Sequence, residues 1–224
     1  MNPVFLFSLI ALIAIGIFVV VQVAAARRRS TLAAWARLRG FEFTPFHDGD
    51  FPYRHSCFEC FSKGHNRYAD NVARGRIGQH TLCTFDYHYT TGSGKDQNTH
   101  RFSGVVVTTN LPLKPLWIRH ETIFDRVAGL VGLQRIEFES AEFNREFHVT
   151  SPDRRWAFDV LPQSTMEFLL DSPKFLVEFQ LCQIMAYREN LFGPADFDAA
   201  IEVIEGILRR LPASLVQELQ GADR

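Results

Sequence analysis

The chain has almost no net charge, few cysteines, few lysines and none of the compact motifs that announce a nucleotide site or a serine nucleophile. Its 24 basic and 25 acidic residues leave a formal charge of −1. Nucleic-acid binders carry a clear basic excess, so nucleic acid is not expected as a partner. Only four lysines (Lys63, Lys95, Lys114 and Lys174) stand against 20 arginines, a bias that speaks of GC-rich bacterial codons and not of function. No G-x-S-x-G elbow occurs. No internal repeat or low-complexity run is visible. A phosphate loop is missing as well: Thr91-Gly92-Ser93-Gly94-Lys95 would need glycine in place of Tyr89 and a hydroxyl residue in place of Asp96.

What is present begins at the N-terminus. Residues 4 to 26, VFLFSLIALIAIGIFVVVQVAAA, run without a charge and end directly in Arg27-Arg28-Arg29. As a helix at ~1.5 Å per residue this run reaches ~34 Å, enough for a hydrocarbon core of ~30 Å. The pattern predicts a transmembrane anchor over 1–26. Ala24-Ala25-Ala26 offers a cleavage-like site, but a signal peptide carries its positive charge before a shorter apolar core. A buried core helix rarely needs so long an uninterrupted apolar run. With no charge before the run and Arg27, Arg28, Arg29, Arg37 and Arg39 after it, the N-terminus is expected outside and the rest in the cytoplasm of a bacterial inner membrane, single-pass. The four cysteines (Cys57, Cys60, Cys83, Cys182) are then expected to stay reduced thiols.

Residues 27–40 read as a basic juxtamembrane helix closed by Gly40. Leu32, Trp35 and Leu38 share a stripe, so Arg27, Arg28, Arg29 and Trp35 are the expected membrane-interface residues, with the lipid bilayer as partner. The alternative is simple continuation of the helix onto the domain.

Residues 41–224 predict a cytoplasmic α+β domain. Phe41 and Phe43 flank Glu42 as a short strand. Tyr68 to Ile77, Thr81 to Thr90 and Thr99 to Asn110 form three antiparallel strands, the first two joined at Gly78-Gln79. In the middle strand Cys83, Phe85, Tyr87 and Tyr89 face a core, and Leu82, Thr84, Asp86 and His88 face the other way. Pro112 and Pro115 mark a connection before a short strand at Leu116-Trp117-Ile118. A helix over Glu121 to Leu130, a strand at Phe147 to Thr150 and helical turns over 153–160 and 164–170 follow. Phe175 to Phe179 and Cys182 to Arg188 read as a strand pair. Pro194 opens a last helix with Phe197, Ile201, Ile204, Ile207, Leu208 and Leu211 on one face. The expected fold is thus α+β: a transmembrane helix, then an antiparallel-sheet domain packed by a C-terminal amphipathic helix.

Two clusters could carry chemistry. His55, Cys57, Cys60 and His65 place two thiols at zinc-ligand spacing beside two imidazoles, but no second C-x2-C exists, and Phe58 and Phe61 suggest core packing. His88 and His100 stand symmetrically about Gly94, with Asp86 two residues along, a conceivable His-His-carboxylate trio. Solvated polar residues on a sheet's outer face are the plainer explanation. Neither cluster assigns a catalytic residue, a metal or a cofactor. Glu137, Glu139 and Glu142, followed by Arg145, fit a charged surface turn.

Several stretches together resemble an uncharacterised group of bacterial proteins with an N-terminal membrane helix and a cytoplasmic domain of unknown function. They are residues 71–75, Phe85-Asp86-Tyr87-His88-Tyr89 with the Thr-Gly-Ser-Gly-Lys that follows, residues 99–103, the Glu-Phe-Asn-Arg-Glu-Phe block at 142–147, residues 156–161 and residues 166–170. The likeness spans most of residues 30 to 215. It implies an architecture and no activity. The expected function is a non-catalytic binding or scaffolding domain with a membrane or envelope protein as partner. The alternative is a membrane-tethered enzyme using one of the two clusters.

Overall fold

The structure, a computed structural model, describes residues 3–120 and 134–221. A single helix, α1 (Pro3–Leu38), runs through the boundary expected at residue 26. It stops where glycine allows a left-handed turn: Gly40 has φ +71°, its N–H donates to the Arg37 carbonyl (3.1 Å), and the Phe41 N–H donates to that of Ala36 (2.8 Å).

A six-stranded antiparallel sheet follows, made of β1 (Glu42–Thr44), β2 (His65–Ile77), β3 (His80–Thr91), β4 (Asn98–His120), β5 (Phe147–Thr150) and β6 (Leu176–Arg188). The β2–β3 hairpin turns at Gly78-Gln79 as expected, with Ile77 opposite His80 and φ +55° at Gly78. Between β1 and β2 lie α2 (Phe51–Arg54) and a 3-10 turn (Glu59–Ser62). The remaining helices are α3 (Ala141–Glu146), α4 (Arg154–Val160), α5 (Gln163–Asp171), α6 (Pro194–Arg210) and α7 (Ala213–Gly221).

Three expectations change. Pro112 and Pro115 do not end a strand. β4 continues through them with register shifts between Thr108 and Leu116, so the prolines sit where ladder bonding is already interrupted. The strand pair at 175–188 is one strand, β6, kinked at Leu181, whose φ is +56°. Glu142 belongs to helix α3 and not to a turn. The helix expected over 121–130 lies outside the described residues.

The transmembrane anchor is also corrected: among the described residues, no helix is long and apolar enough to cross a membrane. The physical reason is visible in α1. From Val21 onward it borders the folded domain, and Leu32, Trp35 and Ala36 are buried in the core. The single-pass inner-membrane placement, with its outside N-terminus and cytoplasmic domain, loses its basis with the anchor.

Both faces of the sheet are covered. On one, Leu82, Val105, Val107, Ile184 and Ala186 pack under the C-terminal half of α1 and under α6, whose stripe Phe197, Ile201, Ile204 and Ile207 is buried as its spacing predicts. On the other, Phe85, Tyr87, Phe102 and Tyr187 pack under Phe51, Phe58 and Phe61. Phe61 alone meets Phe51, Phe58, Phe85, Tyr87 and Phe102 at centroid distances of 4.8 to 6.2 Å, mostly edge-on, the arrangement ring quadrupoles favour.

Candidate functional site

α1 is fastened to the sheet and to α6 at three points. Arg28 grips Asp86 with both ends of its guanidinium, Nε to Oδ2 at 2.7 Å and Nη2 to Oδ1 at 2.6 Å. Trp35 stacks on Phe197 and donates Nε1 to Asp198 Oδ1 (2.7 Å), which also pairs with Arg39 (2.7 Å). Two of the four expected membrane-interface residues, Arg28 and Trp35, thus face the domain, while Arg27 and Arg29 are exposed. The alternative reading of 27–40, a helix continuing onto the domain, describes what is seen.

Asp86 is 5 % exposed. Besides Arg28, it accepts from Asn71 Nδ2 (2.9 Å) and from Ser103 Oγ (2.5 Å), and Ser103 in turn accepts from the Phe192 N–H (3.0 Å). Four donors converge on one carboxylate, which leaves it no lone pair suited to abstracting a substrate proton. Asn71 reaches it because a bulge in β2 between Asp70 and Ala73 puts Asn71 at φ +49°, a conformation asparagine tolerates.

Above this cluster, between α1 and the sheet, opens a cleft of about 740 Å³. Val21, Ala24 and Ala25 line it from α1, Phe46 and Leu191 border it at opposite edges of the sheet, and Asp70, Asn71 and Asp86 form the floor. Tyr68 is stacked between His47 (4.0 Å) and His88 (4.5 Å) along its side. Burial holds the His88 pKa below its usual value, and its Nδ1 bonds the Asn66 carbonyl at 3.2 Å. Burial, then the neighbouring Asp86 charge, raises the Asp70 carboxyl. Among the described residues the lining contains no serine, threonine or cysteine.

The His-His-carboxylate trio does not assemble. His88 is paired with Arg101, and His100 with Tyr89. His100 therefore sits on the opposite face, stacked on Tyr89 at 4.6 Å and bonded through Nε2 to Thr91 Oγ1 (2.8 Å). Asp86 and His88 are buried beneath α1 and not on a solvated face. The thiol cluster disperses as well. His55 donates Nδ1 to Gln183 Oε1 (3.0 Å), Cys57 Sγ contacts the same oxygen (3.7 Å), and His65 is exposed at the start of β2. Burial pushes the Cys57 thiol up to about 11 and the Cys83 thiol up to about 12, and it raises the Cys60 thiol as well. Thiols held this way are poor nucleophiles at neutral pH. Among the described residues no three His, Cys, Asp or Glu side chains gather at metal-binding distance. Sequence reasoning missed the Arg28–Asp86 clamp and the Asn71 bulge; the only hint was an Arg-rich helix that could have continued onto the domain.

No family model and no curated protein matches the chain. Among solved structures, the fold is similar to the crystal structure of the mycobacterial trehalose monomycolate transport factor A, TtfA, with a TM-score of 0.61 and 15 % identity over 84 % of this chain and 96 % of that one. At that identity the likeness establishes a shared fold.

Proposed function

We propose that the chain is a non-catalytic binding module that recruits a membrane or envelope protein through the projecting part of α1, as one component of a transport or assembly machinery. The observation that carries this reading is the state of α1 itself. Its last turns are clamped to the domain, yet Leu12, Ile15, Phe18 and Val20 are 61 to 69 % exposed, and Ile13, Ile17, Val19 and Val21 more than half. These side chains point in all directions around the helix. A helix apolar on every side is stable when enclosed, and an exposed apolar patch of this kind marks an interaction surface. Helices of a partner protein would supply that enclosure. The saturated Asp86 and the protonated thiols favour binding over catalysis. The name of the structural neighbour, a transport factor, favours a place in transport.

Site-specific photo-crosslinking from Ile17 and Val20 of the full chain, in its own cells, tests the proposal. One predominant protein adduct is expected, lost when Val20 is changed to Glu while the thermal unfolding of the domain stays put. Absence of any discrete adduct from either position would sink it.

A further inference from the structure

We infer that the cleft between α1 and the sheet is a binding site for an uncharged, hydroxyl-rich headgroup that carries a short apolar arm. The floor is short of donors. Asn71 is 7 % exposed and spends its Nδ2 on Asp86 and, at 3.3 Å, on Asp70, which leaves its Oδ1 with no donor among the described residues. A buried acceptor left without a donor costs about 1–3 kcal/mol, and here it is held in place by a bulge with a left-handed backbone. Asp70 faces Asp86 directly across the β2–β3 pair, and the 3.3 Å contact from Asn71 is the hydrogen bond it receives. Asp70, the half-buried acceptor beside this sealed carbonyl, calls for a ligand that donates.

The charges around the cleft choose among donors. Arg28 and Asp86 neutralise each other. That leaves Asp70 at the floor, with Arg29 and Arg101 bordering the cleft and forming no ion pair among the described residues. An ammonium group drawn to Asp70 meets two guanidinium groups on the way in. An anion drawn to the arginines is repelled at the floor. Hydroxyl groups suffer neither penalty: they donate to Asp70 and accept from Arg101. The Tyr68 ring and its flanking imidazoles offer apolar surface to the C–H face of such a headgroup. Val21, Ala24 and Ala25 on the helix side offer apolar surface to an alkyl arm.

Calorimetric titration of the full chain with hexyl glucoside, hexylglycerol ether, hexylammonium and hexyl sulfate, all below their micellar concentrations, tests this. Saturable binding of at least one uncharged probe is expected, at least about tenfold tighter than either charged probe; comparing the two separates a sugar from a simple polyol. Asp70→Leu, which removes a floor acceptor, and Ala24→Phe, which fills the cleft from the helix side, should each weaken it by about tenfold or more. Binding unchanged in both variants places the probe on exposed α1 and overturns the inference. Equal binding of a charged probe, or no saturable binding of the uncharged ones, overturns it too. None of these outcomes bears on the crosslinking test from Ile17 and Val20, which lie outside the cleft.

Discussion

The two faces of the sheet each bury a carboxylate, and they treat it in opposite ways. Beneath α1, Asp86 collects a bidentate arginine, an amide and a hydroxyl. On the aromatic face, Glu178 is 3 % exposed near the thiols of Cys57 and Cys60 and the 3-10 turn. It accepts from Gln180 Nε2 (3.0 Å) beside the Trp117 indole, with no ion pair among the described residues. Burial pushes the Glu178 carboxyl up to about 7. The first face is joined by specific polar geometry, and α1 is what it fixes. The second is joined by ring packing, and its carboxylate is tolerated only because it can keep its proton.

The comparison breaks most severely at Phe61, which is 1 % exposed. Phe61→Ala should lose about 3–5 kcal/mol in chemical denaturation, with little dependence on salt, because the loss is transfer plus cavity. Next comes Asp86→Ala, which strands Arg28 and Asn71. About 3 kcal/mol is expected, and hydrogen exchange should speed up over residues 25–35, where α1 lets go of the sheet. If exchange there is unchanged, the clamp does not hold α1.

Glu178→Gln should have the opposite sign. The folded-state value of about 7 lies above the ordinary 4.5. The native state therefore keeps a proton that the unfolded chain has released in that window. Stability from this group is full at pH 4.5 and below and is lost as pH rises through 7. Glu178→Gln should thus flatten the profile and raise stability at pH 8 by up to about 3 kcal/mol, read as denaturation midpoints at pH 5 and pH 8. A variant no more stable than the parent at pH 8 would show that the carboxylate is better solvated than its burial implies.

The smallest effect is expected at Asp48, on the surface. Burial alone would raise its carboxyl, but Arg54 and then Arg74 outweigh burial and lower it. Its stability is present above the usual carboxylate range and is lost as pH falls through the depressed value. With both arginines more than 40 % exposed, Arg54→Ala should cost under about 1 kcal/mol, less still in high salt.

Strands β2, β3 and the first half of β4 were legible because aromatic and β-branched residues alternate between Tyr68 and Asn110, and Gly78-Gln79 marks the turn. The last long helix was legible from Pro194 and the spacing of Phe197, Ile201 and Ile204. The site was not. Whether His88 faces His100 or Arg101 depends on a one-residue shift of register, and that shift moves a side chain from one face to the other. The Arg28–Asp86 contact joins residues 58 apart, and no local pattern encodes it. The apolar run from Val4 misled for a related reason: composition cannot show that the helix it begins runs on without a break to Leu32, Trp35 and Ala36 in the core of the domain.

Among the described residues strand β6 pairs only with β4, which makes it a long border of the sheet, and Leu181 interrupts it midway with a left-handed backbone and a side chain 67 % exposed. A straight strand from another molecule could zip along only a few residues before meeting that step. The kink therefore acts as a guard against fibrous self-association. Restoring a smooth run there would be an unwelcome change in a chain that also displays so much apolar helix.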